Sequence, residues 1–247
     1  MPGDRAITAI GVVPARMGST RLAGKMLAPI QGRPLIVWTA EAAVKSGAFS
    51  RVIVATDHAD ILHAVTAAGF EAMMTDPQLP SGSARVAAIA QQIDAPVFVN
   101  IQGDEPLVDG AGLRRTVEAF ADDRVEMATL SFPLSLADEQ NPNVVKLVVD
   151  HCGDALYFSR SLIPFPRTRD GFAPLKHVGV YGYRRATLLR LMALEPCPLE
   201  RVESLEQLRA LYHGIKIRVL PAECDSIGVD VADDLERVRT EVEGRSL

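Results

Sequence analysis

Short apolar, β-branched runs alternate along this chain with stretches in which apolar residues recur every three or four positions, the pattern of strands alternating with amphipathic helices. Ile7 to Val13 reads as the first strand. Pro34 to Lys45 carries Leu35, Trp38, Ala42 and Val44 at helical spacing and stops at Gly47. Arg51 to Ala55 follows as a buried strand, Ala59 to Ala68 as a helix closed by Gly69, and Glu71 to Met74 as a third strand. Ser83 to Ile93 is then a helix, and Val97 to Ile101 a strand that delivers Gln102-Gly103-Asp104-Glu105-Pro106 at its C-terminal end. Ligands of such sheets lie outside the carboxyl ends of the strands, so the loops at 14–25, 55–57 and 102–106 are expected to face one crevice.

The rhythm changes after Met127. Strand-like runs at Met127 to Phe132, Val144 to Asp150, Ala155 to Ser159 and Val178 to Arg184 have no long helix between them, which predicts antiparallel pairing. Helical pattern returns at Ala186 to Leu194 and Leu199 to Tyr212, and Lys216 to Leu220 is the last strand. A final helix from about Ala232 to Val242 has Asp233 and Asp234 in its first turn, as the helix dipole favours. No internal repeat, low-complexity tract or linker divides the chain. The expected fold is one α/β domain over 1–247, a mainly parallel nucleotide-binding sheet flanked by helices. A smaller antiparallel sheet subdomain, able to floor a pocket or form a dimer face, is expected to be inserted at about 127–184.

Composition narrows the class. The chain has 247 residues, enough for a substantial core, and 48% of them are hydrophobic. A net charge of -5 argues against a general nucleic-acid coat, so any cationic chemistry must be local. Cys152, Cys197 and Cys224 are far apart, form no CxxC and cannot all pair within one chain, which favours a reducing compartment. An early acid at Asp4 and only a short apolar run before Pro14 make a poor signal peptide, and no segment approaches the roughly 20 apolar residues of a membrane span. A soluble, cytoplasmic protein is expected.

The chemistry begins where the first strand opens into Pro14-Ala15-Arg16-Met17-Gly18-Ser19-Thr20-Arg21-Leu22-Ala23-Gly24-Lys25. Glycine and serine let backbone N–H groups approach phosphate oxygens, and Arg16, Arg21 and Lys25 can neutralise a triphosphate. The spacing is neither that of a P-loop nor GxGxxG, and a surface loop of solvated cations is the competing reading. A triphosphate site needs magnesium, a hard ion held by one or two carboxylates. Asp104, at the end of a buried strand, serves as such a ligand or as the cap of its turn. Asp230, in Gly228-Val229-Asp230, serves as the second ligand or as a helix N-cap.

Over almost the whole chain, PARMGSTRLAGK at 14–25, VATDH at 54–58, Ser81-Gly82-x-x-Arg85, VNIQGDEPL at 99–107, NPNVVK at 141–146, ALYFSRSLIPFPR at 155–167, HVGVYGYR at 177–184, LEQLRAL at 205–211 and GVD at 228–230 occur in series. In that series the chain resembles the 3-deoxy-D-manno-octulosonate (KDO) cytidylyltransferase family, the CMP-KDO synthetases. The resemblance implies an enzyme that joins KDO to CTP, releasing pyrophosphate, as a magnesium-dependent homodimer. It places Arg16 and Lys25 on the triphosphate, with Ser19 and Arg21 supporting the loop, and makes Asp104 and Asp230 the metal ligands. The nucleotide is expected against Pro14, Ala15, Thr56, Asp57, Thr75, Ser81, Gly82, Arg85 and Gln102. The sugar acid is expected against Arg160, His177, Tyr181, Glu206 and Gln207, with His177 orienting rather than acting as a base.

One position departs from the family pattern. Ser81-Gly82-Ser83-Ala84-Arg85 stands where the family has Ser-Gly-Thr-Glu-Arg, so an acidic side chain is missing near the expected nucleotide pocket. A cytidylyltransferase for a modified KDO or another acidic acceptor is the nearest alternative. A non-catalytic nucleotide sensor and a sugar-1-phosphate nucleotidylyltransferase are two more distant ones. Retention of both Asp104 and Asp230 speaks against the sensor, and the free-acid sugar residues speak against the sugar phosphate.

Overall fold

The computed structural model describes residues 7–18 and 22–245. β1 (Ala9–Ala15) is followed by a small hairpin, β2 (Pro29–Ile30) and β3 (Arg33–Pro34). Then come α1 (Leu35–Lys45), β4 (Arg51–Thr56), α2 (Ala59–Ala67), β5 (Glu71–Met74), α3 (Gly82–Gln92) and β6 (Val97–Asn100). β1 extends two residues past its apolar run, through Pro14, because its parallel ladder with β4 continues to Ala15 opposite Thr56. The second half contains α4 (Gly110–Glu118), β7 (Met127–Pro133), β8 (Lys146–Val149), β9 (Ala155–Ser159), β10 (Leu175–Arg184) and α5 (Arg185–Ala193). It ends with α6 (Pro198–Glu203), α7 (Gln207–Tyr212), β11 (Ile217–Pro221) and α8 (Ala232–Arg245).

Besides the β2–β3 hairpin, which no pattern announces, two helical stretches differ from the sequence reading. α4 is a helix that the pattern does not announce, because Gly110 and Gly112 lower its helical propensity. Gly112 is required by packing: a Cβ there would stand 2.8 Å from Leu130 Cδ1, so the glycine lets α4 lie close on β7. Asp109 starts the helix by accepting the Ala111 N–H at 3.0 Å. The expected single helix over Leu199 to Tyr212 is two, since Ser204 takes a left-handed conformation at φ +52° between α6 and α7. That break turns Glu206 and Gln207 onto a new axis.

The strands form one mixed sheet in the order β11-β7-β10-β6-β1-β4-β5. β1 pairs in parallel with β4 and β6, and β4 with β5. β10 runs antiparallel to β6 and β7, and β8 and β9 branch from it as an antiparallel pair. The antiparallel pairing expected at 127–184 is therefore present, with β7 and β10 as part of the main sheet and only β8 and β9 leaving it. Alternate residues send side chains to opposite faces. Val13, Val54, Val99 and Ile101 pack under α1, α4 and α8, whereas Val12, Ile53, Phe98 and Tyr183 pack under α3, α5 and α7. No helix of the described residues is long and apolar enough to cross a membrane.

Candidate functional site

The carboxyl ends of β1 and β6 open into a crevice of about 270 Å³ whose lining includes Pro14, Ala15, Arg16, Lys25, Gln102 and Asp104. Its two walls meet because Gly103 lacks a side chain: a Cβ there would lie 2.5 Å from the Pro14 carbonyl oxygen. Thr39 Oγ1 fixes the same turn by donating to the Gly103 carbonyl at 2.9 Å. Gly24, at φ +65°, then turns the chain into a 3-10 turn at Lys25–Leu27 that tucks Lys25 inward, leaving it 6% exposed.

The Lys25 ammonium reaches two carboxylates, Asp104 Oδ2 at 2.6 Å and Asp230 Oδ1 at 3.2 Å. A backbone bond from Val229 N to the Asp104 carbonyl at 2.9 Å locks their loops together. Asp234, in the first turn of α8, reaches back with Oδ2 to accept the Asp230 and Val231 N–H groups at 3.0 and 3.1 Å, while the Asp230 carboxylate accepts from Lys25. Asp104 likewise directs its carboxylate to the ammonium. Two hard oxygen donors from separate loops thus converge with a cation at one point, a donor set suited to magnesium. Arg16 stands exposed at the rim, while Ser19 and Arg21 lie outside the described residues.

Behind the crevice is a buried polar chain. Asp57 accepts the Met17 backbone N–H at 3.1 Å on one oxygen and the Arg85 guanidinium at 3.1 Å on the other. Arg85, 3% exposed, also donates to Thr75 Oγ1 at 2.5 Å, and Thr75 Oγ1 donates to the Thr56 carbonyl at 3.0 Å. Thr56 and Thr75, expected against the nucleotide, stand in this chain. Both are buried, and they brace Asp57 and Arg85, which in turn hold the 16–18 segment. Ser81 caps α3 by accepting the Ala84 N–H at 3.2 Å, and Gly82 and Arg85 line the crevice beside it. Gln102 Nε2 donates to the Gly179 carbonyl at 3.0 Å, in the bulge of β10.

A second hollow of about 490 Å³ shares Leu79, Pro80 and Ser81 with the crevice and continues along Ala84, Met192 and Glu206. Ala84, where the family pattern has an acid, lies along this groove next to the shared Leu79, Pro80 and Ser81. Glu206 ends at the groove, and Gln207, in the first turn of α7, is buried. His177 Nε2 faces Thr129 Oγ1 at 3.0 Å, its ring edge-on to Phe158 and tilted against Tyr181. Burial pulls its pKa down to about 4, so the ring is neutral near pH 7. Burial first, then Tyr183 and Glu206, push the Tyr181 phenol well above its ordinary pKa.

Arg160 is placed differently from expectation. Its guanidinium donates to the carbonyls of Glu203, Pro142 and Ser204 at 2.7, 2.9 and 3.3 Å, which holds the turn that precedes Glu206. The fully buried Lys146 joins this tie by donating to the Asn141 and Arg160 carbonyls at 2.6 and 3.1 Å. Lys146 and Glu203 are absent from the sequence reading of the site. Glu203 accepts from Ser159 Oγ and the Arg160 N–H, both more than forty residues away, and Lys146 reaches the Arg160 carbonyl from a different strand, links that no local pattern signals. Glu105 is also new: it is buried, accepts from Ser226, and burial pushes its pKa up to about 7.

Comparison with known proteins gives a consistent result. Residues 10–217 match the family described as Cytidylyltransferase. The chain is 48% identical over 237 residues to the 3-deoxy-manno-octulosonate cytidylyltransferase of Bdellovibrio bacteriovorus, covering 93% of this chain and 95% of that protein. A solved CMP:2-keto-3-deoxy-manno-octonic acid synthetase in complex with CTP is 39% identical, with a TM-score of 0.93 over 97% of this chain and 100% of that one. A cytidylyltransferase from Leptospira borgpetersenii shares the fold at 18% identity, with a TM-score of 0.65 over 96% of this chain and 87% of that one.

Proposed function

Since the chain belongs to the 3-deoxy-manno-octulosonate cytidylyltransferase family, we infer that the crevice and the groove beside it are its two substrate sites. The protein is a nucleotidyltransferase that activates KDO with CTP to give CMP-KDO and pyrophosphate. The observation that carries the assignment of sites is Lys25 held between Asp104 and Asp230 at the mouth of a glycine-hinged loop.

CTP lies with its triphosphate against Arg16, Lys25 and the backbone of the 14–18 segment, and with its base toward Ser81, Gly82 and Gln102. Asp104 and Asp230 would hold magnesium, which when bound supplies charge screening of the triphosphate and polarisation of its α-phosphoryl oxygens. KDO occupies the groove side, near Tyr181, His177, Glu206 and Gln207. Its anomeric oxygen forms a bond to the α-phosphorus as the bond to the bridging oxygen of the leaving pyrophosphate breaks. The hydroxyl proton passes to water, and the charge on pyrophosphate is met by Arg16 and Lys25. His177, neutral and facing Thr129, orients the acceptor. The chain contributes mainly positioning and fixed charge, since both reactants are anions that repel one another in water.

Pyrophosphate release tests the reading. Turnover is expected with CTP, magnesium and KDO, and its loss on chelation is expected to be reversed by added magnesium. Release with CTP and a different acid, but none with KDO, would overturn the acceptor assignment. Ala84 favours a second reading, because the groove is open where the family carries an acid: a KDO bearing an extra substituent would fit on that side. A panel of substituted acceptors with CTP separates the two. The homodimer is part of the same proposal. It is supported by the large apolar side chains of Leu156, Phe165 and Val202, which are exposed in the second half of the chain, and sedimentation checks it.

A further inference from the structure

Among the described residues, two buried side-chain atoms have no hydrogen-bond partner, Asn100 Oδ1 and the Tyr181 hydroxyl. They are not scattered. Asn100 is the last residue of β6 and stands directly opposite Tyr181 of β10 in the antiparallel ladder, so their side chains share one face. Two residues deeper on that face, Phe98 stands opposite Tyr183 in the closed core. The row thus changes from apolar to polar at the carboxyl end of β6.

Asn100 is 2% exposed and Tyr181 8%. A Cβ on Gly82, a crevice residue, would lie 3.7 Å from the Asn100 amide nitrogen and 3.5 Å from Pro14, so Asn100 sits directly beneath the crevice wall. On the other side, the Tyr181 ring packs against His177 and Tyr183, and the charge of Glu206, a groove residue, is felt at its phenol. Thr129 is close enough to the Tyr181 phenol to pull its pKa down against the larger upward push of burial, but no hydrogen bond of normal geometry joins them, and the Thr129 hydroxyl is engaged by the Val180 carbonyl at 2.8 Å and His177 Nε2 at 3.0 Å. A buried polar atom with no partner costs stability, and two on facing residues cost it twice. Leucine at 100, close in shape to asparagine, would remove one of these costs. Retaining an amide there is explained if a ligand completes it.

We propose that Asn100 is a further acceptor-binding residue, whose side-chain oxygen accepts a hydrogen bond from one hydroxyl of the polyol acid while the Tyr181 phenol meets the adjacent part of the same molecule. The proposal rests on the reading of the groove side as the acceptor site. It makes Asn100 a selector for a hydroxylated acceptor, because an analogue lacking that hydroxyl leaves the amide as unpaired as it is without ligand. No covalent step is assigned to Asn100.

The test begins with the wild-type enzyme, CTP and KDO, so that failure of the functional reading is seen before any variant is made. Asn100→Leu and Asn100→Asp are then compared with wild type on KDO and on a set of its monodeoxy analogues, together with thermal melts. Asn100→Leu is expected to melt at or above the wild-type temperature, to keep the KM for CTP within about two-fold, and to raise the KM for KDO about ten-fold, the loss of one buried hydrogen bond. One monodeoxy analogue is expected to lose about ten-fold with wild type and nothing further with Asn100→Leu. Asn100→Asp retains an acceptor oxygen and is expected to keep that discrimination, which provides the readout if the leucine variant does not fold. A more stable Asn100→Leu enzyme with an unchanged KM for KDO would show the orphan atom to be only a packing defect. Equal loss for every analogue, or equal damage to CTP and KDO, would likewise overturn the proposal.

Discussion

Arg160 and Glu203 are joined in both directions of the main chain: the Arg160 backbone N–H donates to the Glu203 carboxylate at 3.0 Å, and the Arg160 Nε–H donates to the Glu203 carbonyl at 2.7 Å. With Lys146 beneath, this tie fixes the left-handed turn at Ser204 from which Glu206 and Gln207 are presented. Removing Arg160 therefore acts on the acceptor side through the turn. Arg160→Ala is expected to lose about 2 to 3 kcal/mol of stability and to raise the KM for KDO at least ten-fold, with a smaller effect on CTP. Arg160→Lys is expected to restore little, since one ammonium cannot span three carbonyls as a planar fork does. Melting curves and separate KM values for the two substrates check this, and a stable variant with normal KDO affinity would show the turn to be self-supporting.

The Lys25, Asp104 and Asp230 cluster gives a second expectation. Asp104→Asn and Asp230→Asn are each expected to cut turnover by about 10² or more while leaving the fold intact, with magnesium titration shifted to higher concentrations. Near wild-type turnover of both variants at saturating magnesium would return the two acids to a purely structural role.

The Asp57–Arg85 pair carries a third. Arg85 is 3% exposed in its side chain and Asp57 13%, so Asp57→Ala would leave a buried guanidinium without its counter-charge and release the Met17 N–H as well. A destabilisation of about 3 to 5 kcal/mol is expected, a fall of roughly 10 °C in melting temperature, with a weakened affinity for CTP. Calorimetry and CTP binding measure both. A loss of CTP affinity without a loss of stability would make Asp57 a direct nucleotide contact instead of a brace.

His177 gives the pH dependence. Its pKa is pulled down to about 4 from the usual value near 6.5. Between these values the unfolded chain binds the proton and the folded one does not, so stability is fully present above pH 6.5 and is lost as pH falls toward 4. Allowing for the part of the ring that solvent still reaches, a contribution of about 1 to 2 kcal/mol is expected across that window. Urea unfolding at pH 7 and at pH 4.5 measures it. The gap between wild type and His177→Asn is expected to narrow on acidification, and a constant gap would mean that His177 is protonated in the fold.

Local chemistry made much of the fold legible. Glu71 to Met74 and Ala155 to Ser159 are strands as their patterns predict, and Gly47 and Gly69 end their helices at φ +66° and +84°. Misreadings arose where a long-range contact overrode local preference. Gly112 looks like a helix breaker, yet it is in a helix because Leu130 leaves no room for a Cβ. Ser204 interrupts an apolar pattern that is periodic on both sides, and no neighbouring residue announces its left-handed turn.

The candidate site divides along the same line. The sequence by itself determined the residue types and the loops that bear them: the glycine-rich cationic segment after β1, the acids Asp104 and Asp230, and their arrival at strand ends, because these follow from patterns a few residues long. Only the tertiary structure decided which partner each group takes. It brought the Asp230 carboxylate to Lys25, and it buried Thr75 against Arg85 and the Thr56 carbonyl. It also spent Arg160 on three carbonyls and set Asn100 opposite Tyr181 with neither polar atom satisfied. A hydrogen bond is a matter of a few tenths of an ångström between groups that are tens of residues apart in the chain, and only the packed sheet fixes distances of that kind.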